Sequence, residues 1–146
     1  MNAVHKTATT AGGTELRCLD TAIVKADQID QLGHMNVRYY GVRSTAASRA
    51  LANELDLTRG TTGRAAVRLT FVDLFTRHYR EQLEGAKLEV WGGVLDANES
   101  GVRMYQELRN AETEELSATF VHIMQMQDSA TRAPLPFAME VIEACR

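Results

Sequence analysis

Asp30-Gln31-Leu32-Gly33-His34-Met35-Asn36-Val37-Arg38-Tyr39-Tyr40 places an acid, a glycine turn, a histidine and a helix start within eleven residues, directly after an apolar run. A carboxylate beside a helix N-terminus lies next to unsatisfied backbone N–H groups and the positive end of the helix dipole. That is one way to polarise a carbonyl and attack it. Asn36 is the candidate N-cap. From there Tyr40, Ser44, Ala47, Leu51 and Leu55 follow the three-or-four spacing of one helical face to about Leu57. The same stretch is rich in small residues, among them Gly41, Ala46, Ser48, Ala50 and Ala52. Small side chains let neighbouring backbone approach, so a sheet is expected to wrap this helix.

On either side of the helix the pattern is extended. Leu16, Cys18, Thr21, Ile23 and Val24 suggest a first strand. Beyond the 59–63 loop, Val67, Leu69 and Phe71 alternate with Arg68 and Thr70, and Leu88, Val90, Gly92 and Val94 repeat the period with Trp91 opposite. Asp96 to Gly101 supplies a hairpin turn into Val102, Met104, Gln106 and Leu108. A further turn at 110–114 leads to Ala118, Phe120, His122, Met124 and Met126 on one face, with Val121 and Ile123 on the other. The tail reads as a loop through Pro134 and Pro136 and a short helix over 138–145. One long helix with a run of antiparallel strands is an α+β arrangement. Residues 1–14 are expected to be a disordered segment ahead of a single domain over 15–146.

Composition narrows the classes of function. A chain of 146 residues supports one domain with its own core, and a net charge of -3 without a basic block argues against nucleic acid as partner. Cys18 and Cys145 lie near opposite ends and are read as reduced thiols of a cytoplasmic protein. His5, His34, His78 and His122 show no metal-ligand spacing, so no metal is expected. Neither a signal-peptide core nor an apolar run of membrane-spanning length is seen, so no membrane partner is expected. There is no Gly-x-Ser-x-Gly nucleophile elbow and no phosphate-cradling glycine loop.

Asp-x-x-Gly-His-x-Asn followed by an aromatic pair opening a long helix resembles the 4-hydroxybenzoyl-CoA thioesterase branch of the hotdog-fold superfamily. The resemblance runs from about Glu15 to Gln127 and takes in a second landmark, Tyr79-Arg80-Glu81-Gln82-Leu83-Glu84-Gly85-Ala86-Lys87-Leu88-Glu89-Val90. It implies a curved antiparallel sheet wrapped around the central helix, subunits paired through their sheets into a homodimer and further into a homotetramer, and active sites at the subunit interface. The implied activity is hydrolysis of an acyl or aryl thioester of CoA to an acid and free CoA. CoA then belongs to the substrate, and no separate cofactor is expected.

The chemistry can be argued from the residues. A thiolate is a good leaving group, so hydrolysis needs chiefly a nucleophile and stabilisation of charge on the carbonyl oxygen. Asp30 can attack the carbonyl carbon or act as general base on a water, and the sequence leaves both open. Backbone N–H groups near Val37 are the simplest oxyanion donors. His34 can add a donor or position substrate, Asn36 can hold the turn or orient water, and Gly33 permits a positive φ. Tyr39 and Tyr40 are read as core and interface residues that can also line an acyl pocket, and Arg77 and His78, with Arg64 and Arg68 upstream, as candidates to meet the substrate. His122 is read as a packed histidine. The alternatives are hydrolysis of an acyl carrier protein thioester, a hotdog hydratase or dehydratase built on a histidine with a carboxylate, and a non-catalytic acyl-CoA-binding hotdog protein.

Overall fold

The small-residue helix begins where the sequence places it. In the computed structural model, which describes residues 7–10, 12–61 and 66–146, α1 spans Arg38–Leu55 with Val37 already helical in φ and ψ. The Asn36 side chain accepts a hydrogen bond from the Arg38 N–H at 3.0 Å, satisfying one of the free donors of the first turn. At the other end Asp56 turns left-handed, with φ 48°, and its N–H closes on Ala52 and Asn53. The buried face is Tyr40, Ser44, Ala47, Ser48, Leu51 and Ala52.

Around this helix runs an antiparallel sheet of seven strands. They are β1 (Thr7–Thr9), β2 (Glu15–Ile23), β3 (Val67–His78), β4 (Lys87–Asn98), β5 (Gly101–Asn110), β6 (Leu116–Asp128) and β7 (Pro134–Leu135), with a short α2 (Met139–Ala144) at the end. The order is β1-β2-β4-β5-β6-β3, with β7 on β6. The architecture is the hotdog fold. Register shifts in β2, β3, β4 and β6 insert bulges that curve the sheet around the helix. Between β2 and β4 the backbones come close at Gly93, where a Cβ would lie 2.2 Å from the Glu15 carbonyl oxygen.

Two details depart from the sequence reading. Thr7–Thr9 pairs with β2, so the part of the expected disordered segment that is described includes an edge strand. Its order comes from a partner, not from its own pattern. In β3 the alternation reverses at the bulge between Phe71 and Asp73, which places Leu74 opposite His122 on the helix-facing side and Phe75 opposite Val121 on the outer side. His5 and Arg64 lie outside the described residues.

Inside, two apolar clusters fill the space between helix and sheet. One gathers Leu51, Leu57, Val102, Met104, Met124, Met126, Phe137 and the α2 residues Val141 and Ile142. The other gathers Val24, Met35, Tyr40, Ala47, Leu88, Val90, Leu108, Ala118 and Phe120. On the same helix face, Ser44 and Ser48 meet Gln106 and His122 in a buried polar group. Ser44 Oγ donates to Gln106 Oε1 at 2.6 Å, and Gln106 Nε2 donates to Ser48 Oγ at 2.9 Å. Ser48 spends its own proton on the Ser44 carbonyl, so the 3.1 Å contact with His122 Nε2 requires the imidazole to donate. That leaves His122 Nδ1 as a buried acceptor with no partner among the described residues.

Burial lowers the pKa of His122 from 6.5 to about 4. The unfolded chain therefore takes up a proton that the folded chain refuses. Stability from the neutral imidazole is complete above about pH 6.5 and is lost as the pH falls toward 4, by about 3 kcal/mol in all. Chemical denaturation at stepped pH is expected to show this loss, and His122→Asn to flatten the corresponding part of the curve.

Candidate functional site

Asp30 and His34 close a short turn that is held almost entirely by backbone. The Asp30 N–H donates to the His34 carbonyl and the Gly33 N–H to the Asp30 carbonyl, each at 3.0 Å. The Asp30 side chain adds a local bond, Oδ1 accepting from the Leu32 N–H at 2.9 Å. Gly33 has φ 87°, which an L side chain resists. On leaving the turn, the Met35 N–H donates to the Gln82 carbonyl at 2.7 Å. This bond ties the turn to the segment between β3 and β4, and Gln82 is itself buried and held by Asn110 at 3.1 Å.

Between these two segments and the first turn of α1 lies a cavity of about 720 Å³. Asp30, His34, Val37, Tyr40 and His78 line it, together with Met35, Tyr79, Arg80, Glu81, Leu83 and Glu115. The Val37 N–H makes no hydrogen bond among the described residues, whereas its neighbours do: Asn36 donates to Gln28, Arg38 to the Asn36 side chain and Tyr39 to the Asn36 carbonyl. An amide without a partner at a helix start is a donor for an incoming oxygen. His34 Nε2 lies 2.9 Å from Glu81 Oε2. Tyr40 is buried, donates to the Arg80 carbonyl at 3.3 Å and meets His78 edge-on with ring centroids 4.8 Å apart. Burial raises the Tyr40 pKa, and the nearby Glu81 charge adds to the rise. The phenol is held neutral as a donor. Across the cavity wall Arg80 pairs with Glu115 at 3.4 Å.

Asp30, His34, Val37, Tyr40 and His78 are thus brought together. Gly33 and Asn36 shape the turn and the helix start without lining the cavity. Tyr39 and Arg77 are placed elsewhere. Tyr39 leaves the helix in another direction from Tyr40, stacks with Arg38 and lines a separate hollow of about 250 Å³ with Lys25 and Arg43. Arg77 is one strand position from His78 and so falls on the opposite sheet face, beside Phe75. Arg68 lies on β3 outside the cavity, bonded to Thr70. The residues that sequence reasoning missed as site residues are Glu81, Leu83 and Glu115. The first two belong to the second landmark stretch, but nothing in its spacing shows that it folds against the Asp30 turn.

The cavity thus sets an acid and a free amide at the mouth of the central helix of a hotdog domain. Residues 24–145 match the family model described as the thioesterase-like superfamily. The chain belongs to this family, and the expected enzyme class, a thioester hydrolase, stands with it. No curated protein sequence matches the chain. Among solved structures it is similar to the Staphylococcus aureus protein SAV2348, determined in complex with CoA, at 15% identity and a TM-score of 0.75 over 99% of this chain and 84% of that one. It is also similar to a putative thioesterase from Pseudomonas putida KT2440, at 20% identity and a TM-score of 0.69 over 86% and 79% of the two chains. A 1,4-dihydroxy-2-naphthoyl-CoA thioesterase from Synechocystis matches at 15% identity and a TM-score of 0.71 over 86% and 93%.

At Gly33 an added Cβ would meet nothing within 4 Å, so the cost of a side chain there is conformational alone. Gly33→Ala is expected to lower the unfolding free energy by about 1–2 kcal/mol in a denaturant titration. Gly33→Asn should lower it less.

Proposed function

We propose that this protein is an acyl-CoA thioesterase that converts an acyl or aryl thioester to a carboxylic acid and free CoA in the cavity between α1 and the 79–83 segment. The observation that carries this reading is the pairing of the Asp30 carboxylate with the unpartnered Val37 N–H on the walls of one cavity. The thioester carbonyl oxygen would accept from Val37 N–H, where a fixed dipole needs no reorganisation as negative charge appears. Asp30 would then act on the carbonyl carbon, either by bonding to it with release of the thiolate or by taking the proton of an attacking water. CoA on a structural neighbour supports CoA as the carrier of the acyl group. Tyr79 and Leu83, half-exposed beside His78, would receive the acyl group. No cofactor enters this scheme.

The protein is proposed to work as a homodimer. β3 ends the sheet, and Val72, Leu74 and Phe75 are about half-exposed along it. A long apolar edge of this kind is a template for pairing, and two copies joined edge to edge satisfy it symmetrically. The strand runs directly into His78, Tyr79 and Arg80, so a partner there would cover the open side of the cavity. A homotetramer formed from two such dimers is the further assembly that the family resemblance implies. Cys18 and Cys145 are both free thiols, in keeping with the cytoplasm as the proposed compartment. Among the described residues, no helix is long and apolar enough to cross a membrane.

One observation favours a second reading. His34 with Glu81 is a histidine paired to a carboxylate, which is what water addition to an enoyl thioester requires. Thiol release from saturated acyl-CoA supports hydrolysis, and hydration of an enoyl-CoA without thiol release supports the alternative.

An acyl-CoA panel with thiol detection is expected to show turnover that Asp30→Asn abolishes while the circular-dichroism spectrum and assembly are retained. Turnover by Asp30→Asn at the wild-type rate would remove Asp30 from the chemistry. Label in the Asp30 carboxylate after single turnover in ¹⁸O-water identifies the nucleophilic mode, since it enters there only when a mixed anhydride forms and opens at the Asp30 carbonyl. For the assembly, sedimentation is expected to give a dimer for the wild type and a monomer with lost activity for Leu74→Lys.

A further inference from the structure

Glu81 reaches His34 through a chain of contacts that leaves the imidazole little choice. The Met35–Gln82 backbone bond holds the two segments together at 2.7 Å, and the residues next to that bond, His34 and Glu81, are brought side to side. Glu81 Oε2 then lies 2.9 Å from His34 Nε2. A carboxylate is an acceptor only, so this ion-pair contact favours a proton on Nε2. Nδ1 makes no hydrogen bond among the described residues and, unlike His122 Nδ1, is not a buried orphan. His34 lines the cavity, as does Glu81, whose charge is also felt at the buried Tyr40 hydroxyl. With the proton on Nε2, Nδ1 is the lone-pair nitrogen of this neutral, cavity-lining ring.

We infer that Glu81 is a positioning residue: it fixes His34 as the Nε2–H tautomer so that Nδ1 accepts a hydrogen bond from the hydrolytic water beside the acyl group. The inference rests on the proposed thioester hydrolysis and adds a division of labour to it. A neutral His34 held in this tautomer cannot donate to the thioester oxygen through Nδ1, so that task falls to Val37 N–H. The water, in turn, is oriented by a group whose rotation is restricted. The same carboxylate–imidazole logic aligns the base in unrelated acyl-transfer enzymes. Asp30 is not the orienting group, since the carboxylate that meets His34 Nε2 is that of Glu81.

The test combines kinetics with a spectroscopic readout. Glu81 is 70% exposed at its side chain, so its replacement leaves the core intact. Glu81→Ala is expected to lower kcat by roughly 10- to 100-fold with KM little changed, the size of loss that misplacing a reacting group produces. Glu81→Gln, which retains a carbonyl acceptor for Nε2–H, should recover part of it. In a His34→Ala background, Glu81→Ala should lower kcat no further. An equal loss in that background, or a change confined to KM, would overturn the assignment. Independently of turnover, long-range ¹H–¹⁵N spectra of the neutral His34 ring should show a pure Nε2–H form in the wild type. In Glu81→Ala the two nitrogen shifts should move toward each other as the tautomers mix, and unchanged shifts would equally overturn it. Absence of thiol release from the wild type, with this spectroscopic signature intact, would defeat the hydrolase reading and leave the pairing standing.

Discussion

The hydrogen-bonded contact of α1 with the sheet interior, Ser44 and Ser48 against Gln106 and His122, is the constraint from which the rest of the molecule is positioned. Apolar side chains alone would let an alanine-rich helix rotate or slide within its sheet, because methyl groups are nearly interchangeable. Directional bonds in a dry interior do not allow this, since any displacement leaves buried donors and acceptors unpaired. One register of the helix is therefore selected. The arrangement carries its own cost in the orphaned His122 Nδ1, so it is better understood as specifying orientation than as adding net stability.

That orientation has a consequence at the start of the helix. With Ser44 and Ser48 turned to the sheet, Tyr40 is also turned inward, and the start of the helix delivers Val37 to the edge of the cavity. The Asp30 turn arrives at the same place by a different route. It is short, fixed by its own backbone bonds, and clamped by Met35 to Gln82. A carboxylate, an imidazole and a free amide thus meet because two rigid segments share one anchor, and none of them depends on a flexible loop for its position. Preorganisation of this sort is what acyl-transfer chemistry uses most heavily.

Much of this was legible in the chain before any coordinates. The helix could be read because its buried positions recur with helical spacing, and the later strands because Val102 to Leu108 and Ala118 to Met126 alternate strictly. The Asp30 turn could be read because a glycine and an N-capping asparagine punctuate it. What could not be read depends on contacts between distant segments. Glu81 is unremarkable in sequence and meets His34 only after Met35 bonds Gln82. Sequence neighbours also misled: Tyr39 beside Tyr40, and Arg77 beside His78, share a motif but not a face. The bulge after Phe71 reversed the apparent inward face of β3, a one-residue event that periodicity cannot reveal.

The position of that bulge bears on how the cavity is enclosed. By shifting Leu74 to the helix-facing side and Phe75 to the outer side, it puts large apolar side chains on both faces of the terminal strand just before His78. A strand that is apolar on both faces suits burial at the centre of a larger sheet better than it suits an edge. The groups at its end are charged or polar: Asp30, Glu81 and Glu115 face Arg80, His34 and His78 in one open hollow. In water each of these is screened, and the field acting on a bound carbonyl is weak. Covering the hollow with a second β3 would exclude that water, strengthening the carboxylate–imidazole contact and the pull of the Val37 amide together. In the proposed dimer the paired edge would border the proposed site, which would link assembly and chemistry through a single stretch of backbone.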